Sequence, residues 1–103
     1  MKKYNFKLEL HPEIKFDLQE GVDYYRAKSP GLGNRFYRVA KGQIRSLKKD
    51  AFFYQVKYDD TRCLKVPSFP YLIHYRIDEV NNTVFIDAVI HTSRSPKRWG
   101  KRK

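Results

Sequence analysis

Residues 71 to 91 read YLIHYRID, then EVNN, then TVFIDAVIH. Tyr71 to Asp78 and Thr83 to His91 are rich in β-branched and aromatic side chains, and Asn81 with Asn82 supplies the turn chemistry between them. Two strands joined by so short a break pair antiparallel. Upstream, Tyr54 to Tyr58 and Thr61 to Val66 have the same composition, set off by Asp59 with Asp60 and by Pro67 with Pro70. The four segments predict an antiparallel meander.

Alternation sorts the meander into two faces. Leu64, Val66, Ile73, Tyr75, Ile77, Val84, Ile86, Ala88 and Ile90 are expected on the covered side. Cys63, Lys65, Leu72, His74, Arg76, Phe85, Asp87, Val89 and His91 are expected on the other. A solvated face usually leans to Thr, Lys and Glu, so this mixture of aromatic, histidine and cationic residues reads as a binding surface. Arg62 alternates toward the covered side, where it would tie a strand end.

The first half supplies the cover. Tyr4, Phe6, Leu8 and Leu10 alternate with Asn5, Lys7 and Glu9 as in a half-buried strand, which His11 and Pro12 stop. Ile14, Leu18, Val22 and Tyr25 then recur at helical spacing beside Glu13, Asp17, Glu20 and Asp23, so a first helix has an acidic side. Ser29, Pro30, Gly31 and Gly33 form a breaker. After it, Leu32, Phe36, Val39, Ala40, Gln43, Ile44 and Leu47 make a second helical stripe. Gly42 within it costs about 1 kcal/mol. The expected architecture is α+β: an N-terminal strand and an antiparallel helix hairpin packed on one face of a small antiparallel sheet, one domain over residues 1–103.

The formal charge of +11 is unevenly spread. Residues 1–25 and 50–90 are close to neutral. Residues 26–49 carry eight cations and no acid, Arg35, Arg38, Arg45, Lys48 and Lys49 among them, and residues 91–103 add six more cations with no acid. Two such blocks imply attraction to a polyanion or an acidic protein. No apolar run is long enough to span a membrane or resembles a signal peptide, so a cytoplasmic protein is expected. Cys63 is the single cysteine, which excludes an internal disulfide and reads as structural. The three histidines lack ligand spacing, so no metal is expected. Gly31 and Gly33 follow no strand and precede no Lys-Ser/Thr pair, and no serine stands in a nucleophile elbow, so no cofactor is implied either.

At the end of the last predicted strand stand His91, Ser93, Arg94, Lys97, Arg98 and Trp99. A sheet holds this junction still, which suits a site for an anion. His91 fits a general acid or base and equally a hydrogen-bonded strand end. Lys65 and Arg76 fit phosphate contacts or simple solubility, with His74 a weaker candidate beside them. Trp99 suits stacking on a base or latching the chain end.

The string running from Gln19, Glu20, Gly21, Val22, Asp23, Tyr24 and Tyr25, through Arg35 and Phe36 and Phe69 to Arg76, to His91, Ser93, Arg94, Pro96 and Trp99 resembles the RelE/ParE superfamily of bacterial toxins. The resemblance covers nearly the whole chain. It implies a small cytoplasmic toxin of a type II toxin–antitoxin operon, associated with growth inhibition and plasmid stabilisation and neutralised by a cognate antitoxin. An acidic or amphipathic antitoxin segment is expected on the helix hairpin, where Arg35, Arg38 and Arg45 would meet it, or on the sheet face.

Two targets follow from the resemblance. RelE-type relatives cleave messenger RNA on the ribosome with a basic group on the sheet face and a C-terminal tyrosine or histidine. Here Lys65 falls at one lysine position, but Cys63 stands at the other and Leu72 where an arginine usually sits. Thr92 stands near a further arginine position, and Arg98 or Trp99 where the tyrosine would be. On this reading Lys65, His91 and Arg94 carry catalysis, with His74, Arg76, Lys97, Arg98 and Trp99 binding RNA. ParE-type relatives lack the nuclease group and poison DNA gyrase through protein contacts, with the same surface serving as target contact. A third reading is an inactive, partner-binding relative.

Overall fold

A computed structural model of the chain describes residues 3–95 and Arg102. Its elements run β1 (Lys7–Leu10), α1 (Ile14–Lys28), α2 (Pro30–Asp50), a 3₁₀ turn (Ala51–Phe53), β2 (Val56–Tyr58), β3 (Thr61–Lys65), β4 (Tyr71–Asp78) and β5 (Thr83–His91). The strands form one sheet in the order β1-β5-β4-β3-β2. The meander from β2 to β5 is antiparallel, as its turn signals require. β1 adds to β5 in parallel, Lys7 opposite Thr83 and Leu10 opposite Ile86, which makes the sheet mixed. A parallel partner needs a long crossover, and the helix hairpin and meander between β1 and β5 supply it.

α1 begins at Ile14, just past Pro12, where the backbone N–H of Glu13 donates to Nδ1 of His11 at 3.0 Å. It ends because Ser29 is extended (φ −162°, ψ 130°), after which Pro30 opens α2 at a position that needs no N–H donor. The expected four-residue breaker is therefore one residue long. Gly31 and Gly33 lie inside α2, and what Gly33 provides is proximity. A Cβ there would stand 2.7 Å from the backbone oxygen of Val22, and one on Gly21 would stand 2.4 Å from the Phe36 ring. These two glycines let the helices approach and let Phe36 lie between them, fully buried.

Phe36 is the centre of an aromatic cluster, with ring centroids 4.8 Å from Tyr71, 5.2 Å from Phe69 and 5.5 Å from Tyr25. Leu64, Ile73, Tyr75, Val84 and Ile86 complete the sheet side of this core. The Tyr75 hydroxyl donates to the Ala51 carbonyl at 2.6 Å, so the 3₁₀ turn is tied to the sheet centre. Arg62 does tie a strand end, through the Tyr54 carbonyl and the face of the Phe52 ring rather than through an acid.

The expected alternation fails in the second half of β5. Tyr75 pairs with Ile86 and His74 with Ala88, so Asp87 is an extra residue in a β-bulge. Beyond it every side chain changes sides. Val89, expected outside, belongs to the main core, whereas Ala88 and Ile90, expected inside, form a separate small cluster. His91 now aligns with Tyr71 and shares its side of the sheet.

Candidate functional site

The bulge decides where the candidate residues stand. His91 sits at the end of β5 with its ring 5.4 Å from that of Tyr71 and nearly perpendicular to it. Its Nδ1 accepts the Ser93 backbone N–H at 3.1 Å and lies 2.9 Å from the Ser93 hydroxyl. Arg94, just beyond, is paired with Glu20 of α1. Glu20, Tyr24, Tyr71, His91, Ser93 and Arg94 line one cavity of about 250 Å³. Burial pushes the Tyr71 hydroxyl pKa up, with nearby Tyr25 and Glu20 adding to the shift and Arg94 opposing it.

A second cavity of about 270 Å³ is lined by Lys57, Tyr58, Cys63, Leu72 and His74 together with His91, Thr92 and Arg94. His74 is buried there, its Nδ1 2.9 Å from the Tyr58 hydroxyl and 3.3 Å from the Cys63 sulfur. Burial raises the Cys63 thiol pKa, with Lys57 pulling weakly the other way. That thiol is a packed, protonated group, consistent with a structural cysteine.

The remaining candidates are dispersed. Lys65 is exposed at the end of β3 opposite Leu72, and it lines neither of these cavities. Arg76 donates through Nε and Nη2 to both Asp87 oxygens, at 2.7 and 3.0 Å, while its guanidinium stacks on Phe85. The hydrogen bond to Asp87 holds its pKa above the ordinary guanidinium value. Lys97, Arg98 and Trp99 lie outside the described residues. Arg35, Arg38 and Arg45 are exposed along α2. His91 and Arg94 are thus brought together, and neither Lys65 nor Arg76 joins them.

The C-terminal cations are also not all unopposed. Arg94 is neutralised by Glu20, and Arg102 donates from Nη1 and Nη2 to the two oxygens of Asp17 at 2.7 and 3.1 Å. The helical period of α1 places Glu20 between Phe16 and Tyr24 on an exposed face, but nothing in its spacing names Arg94 as its partner. Glu20, Tyr24, Tyr71 and Asp17 are the site neighbours that sequence reasoning missed.

Among the described residues no group of three or more His, Cys, Asp or Glu could hold a metal ion, and no helix is long and apolar enough to cross a membrane. The strand-end arrangement has a histidine, a tyrosine and a cation already engaged by a carboxylate. Such a group can recognise a polar partner. Phosphodiester cleavage would need further unpaired cations at the reacting phosphate.

No curated protein matches the chain in sequence. A solved structure described as the chromosomal ParDE TA system from P. aeruginosa is similar in fold, with a TM-score of 0.74 over 84% of this chain and 96% of that one, at 15% identity. Residues 8–96 match the model of the family described as ParE toxin of type II toxin-antitoxin system, parDE. That match runs from β1 through the bulged strand and the His91–Arg94 junction, and by it the chain belongs to the ParE toxin family.

Proposed function

We propose that this toxin acts in the cytoplasm on DNA gyrase through protein contacts and does not cleave RNA. The observation that supports the reading is the dispersal of the cationic candidates. Lys65 stands apart from His91 and Arg94, Arg76 is spent on Asp87, and Cys63 and Leu72 occupy positions where RNA-cleaving relatives carry cations. Among the described residues, a developing dianionic phosphorane there would meet Arg94, already engaged by Glu20, and the exposed Lys57 of the adjoining cavity, with neither Lys65 nor Arg76 beside them.

The target contact on this reading is the polar end of the sheet, with His91, Arg94 and Lys65 at its margins. The cognate antitoxin would dock on the hairpin. An apolar groove of about 390 Å³ opens there among Leu10, Pro12, Ile14, Leu18 and Tyr37, and Arg35, Arg38 and Arg45 of α2 supply positive charge for an acidic segment.

Induction of the toxin without antitoxin tests the proposal. Loss of negative supercoiling in a reporter plasmid, with messenger RNA intact in the same cells, is expected. Rapid messenger RNA cleavage at unchanged supercoiling would favour the RelE-like reading, and normal growth would favour an inactive relative.

A further inference from the structure

The ion pairs redistribute the charge of this molecule. On the sheet side and at the chain end, Arg76, Arg94 and Arg102 are each held by a carboxylate, from Asp87, Glu20 and Asp17. The cations of α2 are different. Among the described residues Arg35, Arg38, Lys41, Arg45, Lys48 and Lys49 enter no salt bridge, and all but the half-buried Lys41 are exposed. The one acid of α2 is Asp50, at its last position.

At 100° per residue these six cations fall within an arc of roughly 140°. That arc faces away from the buried stripe of Phe36, Ala40, Ile44 and Leu47. At 1.5 Å per residue the stretch from Arg35 to Lys49 is roughly 21 Å long. The stripe is buried against α1 and the sheet, so the helix backbone that carries the ridge is fixed and its cations stay on one side of the molecule.

We propose that this ridge binds the phosphate backbone of duplex DNA, a function that goes beyond the gyrase reading and does not depend on it. A duplex carries a charge about every 1.7 Å of axis with both strands counted, so a 21 Å ridge spans a length that holds about a dozen of them. Phosphate contacts need cations and little else. An acidic protein segment would draw its apolar anchors from the groove at Tyr37 and Leu18 to one side, whereas the arc of the ridge itself carries none. The nearest exposed aromatic is Tyr37, whose ring lies 5.9 Å from the Lys41 ammonium. Single-stranded nucleic acid is disfavoured for a related reason, since it is held by rows of aromatic platforms that α2 lacks. Binding is therefore independent of base sequence, and an antitoxin seated on the hairpin excludes it.

The test is a fluorescence anisotropy titration of a labelled 20-base-pair duplex with the full-length toxin between 50 and 200 mM salt. The expected slope of log affinity against log salt is about −3 to −5, a loss of roughly 60- to 1,000-fold across that range. Arg38→Gln with Arg45→Gln should flatten the slope by about 2 and weaken binding about tenfold or more at 100 mM salt. Lys3→Gln with Lys7→Gln, which removes the same charge elsewhere, should change binding less than about twofold. Arg38→Lys with Arg45→Lys should bind within about threefold of the parent, which separates loss of charge from loss of fold. A slope shallower than about −1, equal weakening by both glutamine pairs, or tighter binding of a single-stranded 20-mer would overturn the proposal. So would retention of polyglutamate without retention of the duplex, which would leave the ridge to an acidic protein.

Discussion

Oδ2 of Asp17, on α1, accepts the backbone N–H of Val89, on β5, at 3.0 Å across 72 residues of sequence. β1 stops at Leu10, so among the described residues no strand lies beside the edge of β5 beyond Ile86, and side chains contribute to its hydrogen bonding. Asp17 receives the donor, and Arg102 reaches the Asp87 carbonyl at 3.2 Å while also pairing with Asp17. A buried carboxylate therefore links the first helix, the bulged strand and the chain end.

Asp17→Ala leaves both a backbone donor and a guanidinium without their acceptor, and should cost about 2–4 kcal/mol of stability. Asp17→Asn keeps one acceptor and should cost about half as much. Urea denaturation of the two variants and of Arg102→Ala, closed as a double-mutant cycle, measures the coupling.

Two glycine substitutions in α2 should have opposite signs. Gly33→Ala drives a methyl onto the Val22 carbonyl and should destabilise by about 2–3 kcal/mol, because the obstacle is backbone. At Gly42 the nearest atom to a new Cβ is the distal Arg45 nitrogen at 4.0 Å, so Gly42→Ala should stabilise by about 0.5–1 kcal/mol. Thermal melts followed by circular dichroism resolve both.

The bulge predicts a deletion phenotype. Removing Asp87 would make Ala88 follow Ile86 directly, so that regular alternation would keep Val89 in the main core and Ala88 and Ile90 on the other side, where they now stand. This variant should keep a cooperative unfolding transition, with the flanking pairs of β4 and β5 unchanged. Asp87→Ala keeps the residue count, loses only the pairing with Arg76, and should fold with a penalty of about 2–3 kcal/mol.

Stability should fall on the alkaline side. Burial raises the pKa of the Cys63 thiol above its ordinary 9.0, and that of the Tyr25, Tyr71 and Tyr75 hydroxyls above 10.0. In the unfolded chain these groups ionise at their ordinary values, while the folded chain keeps them neutral to higher pH. Their contribution is complete below pH 9 and is lost as pH rises through and beyond 9–10. A melting temperature flat from pH 7 to about 8.5 and dropping above it is expected, and Cys63→Ser should move the start of the drop upward.

Strand and helix identity was legible because period and turn chemistry agree: β4 and β5 run over the residues their composition marks, the first helical stripe is buried, and of the second Phe36, Ala40, Ile44 and Leu47 are buried while Leu32, Val39 and Gln43 are half-buried. The sides of Ala88, Val89 and Ile90 were not legible. Nothing in the sequence of β5 announces an extra residue, and one insertion inverts all that follows. Pairing between distant charges was equally hidden, since Asp17 with Arg102 and Glu20 with Arg94 depend on how α1 lies across the sheet. The His91–Arg94 junction was found from its position alone, whereas its separation from Lys65 needed the register of β3, β4 and β5.

The central claim, a toxin directed at gyrase, is tested most directly by adding the purified toxin to gyrase, relaxed plasmid and ATP. Dose-dependent loss of supercoiling, reversed by the cognate antitoxin, with messenger RNA left whole on translating ribosomes, is the predicted result. Undiminished supercoiling together with cleaved messenger RNA would contradict it.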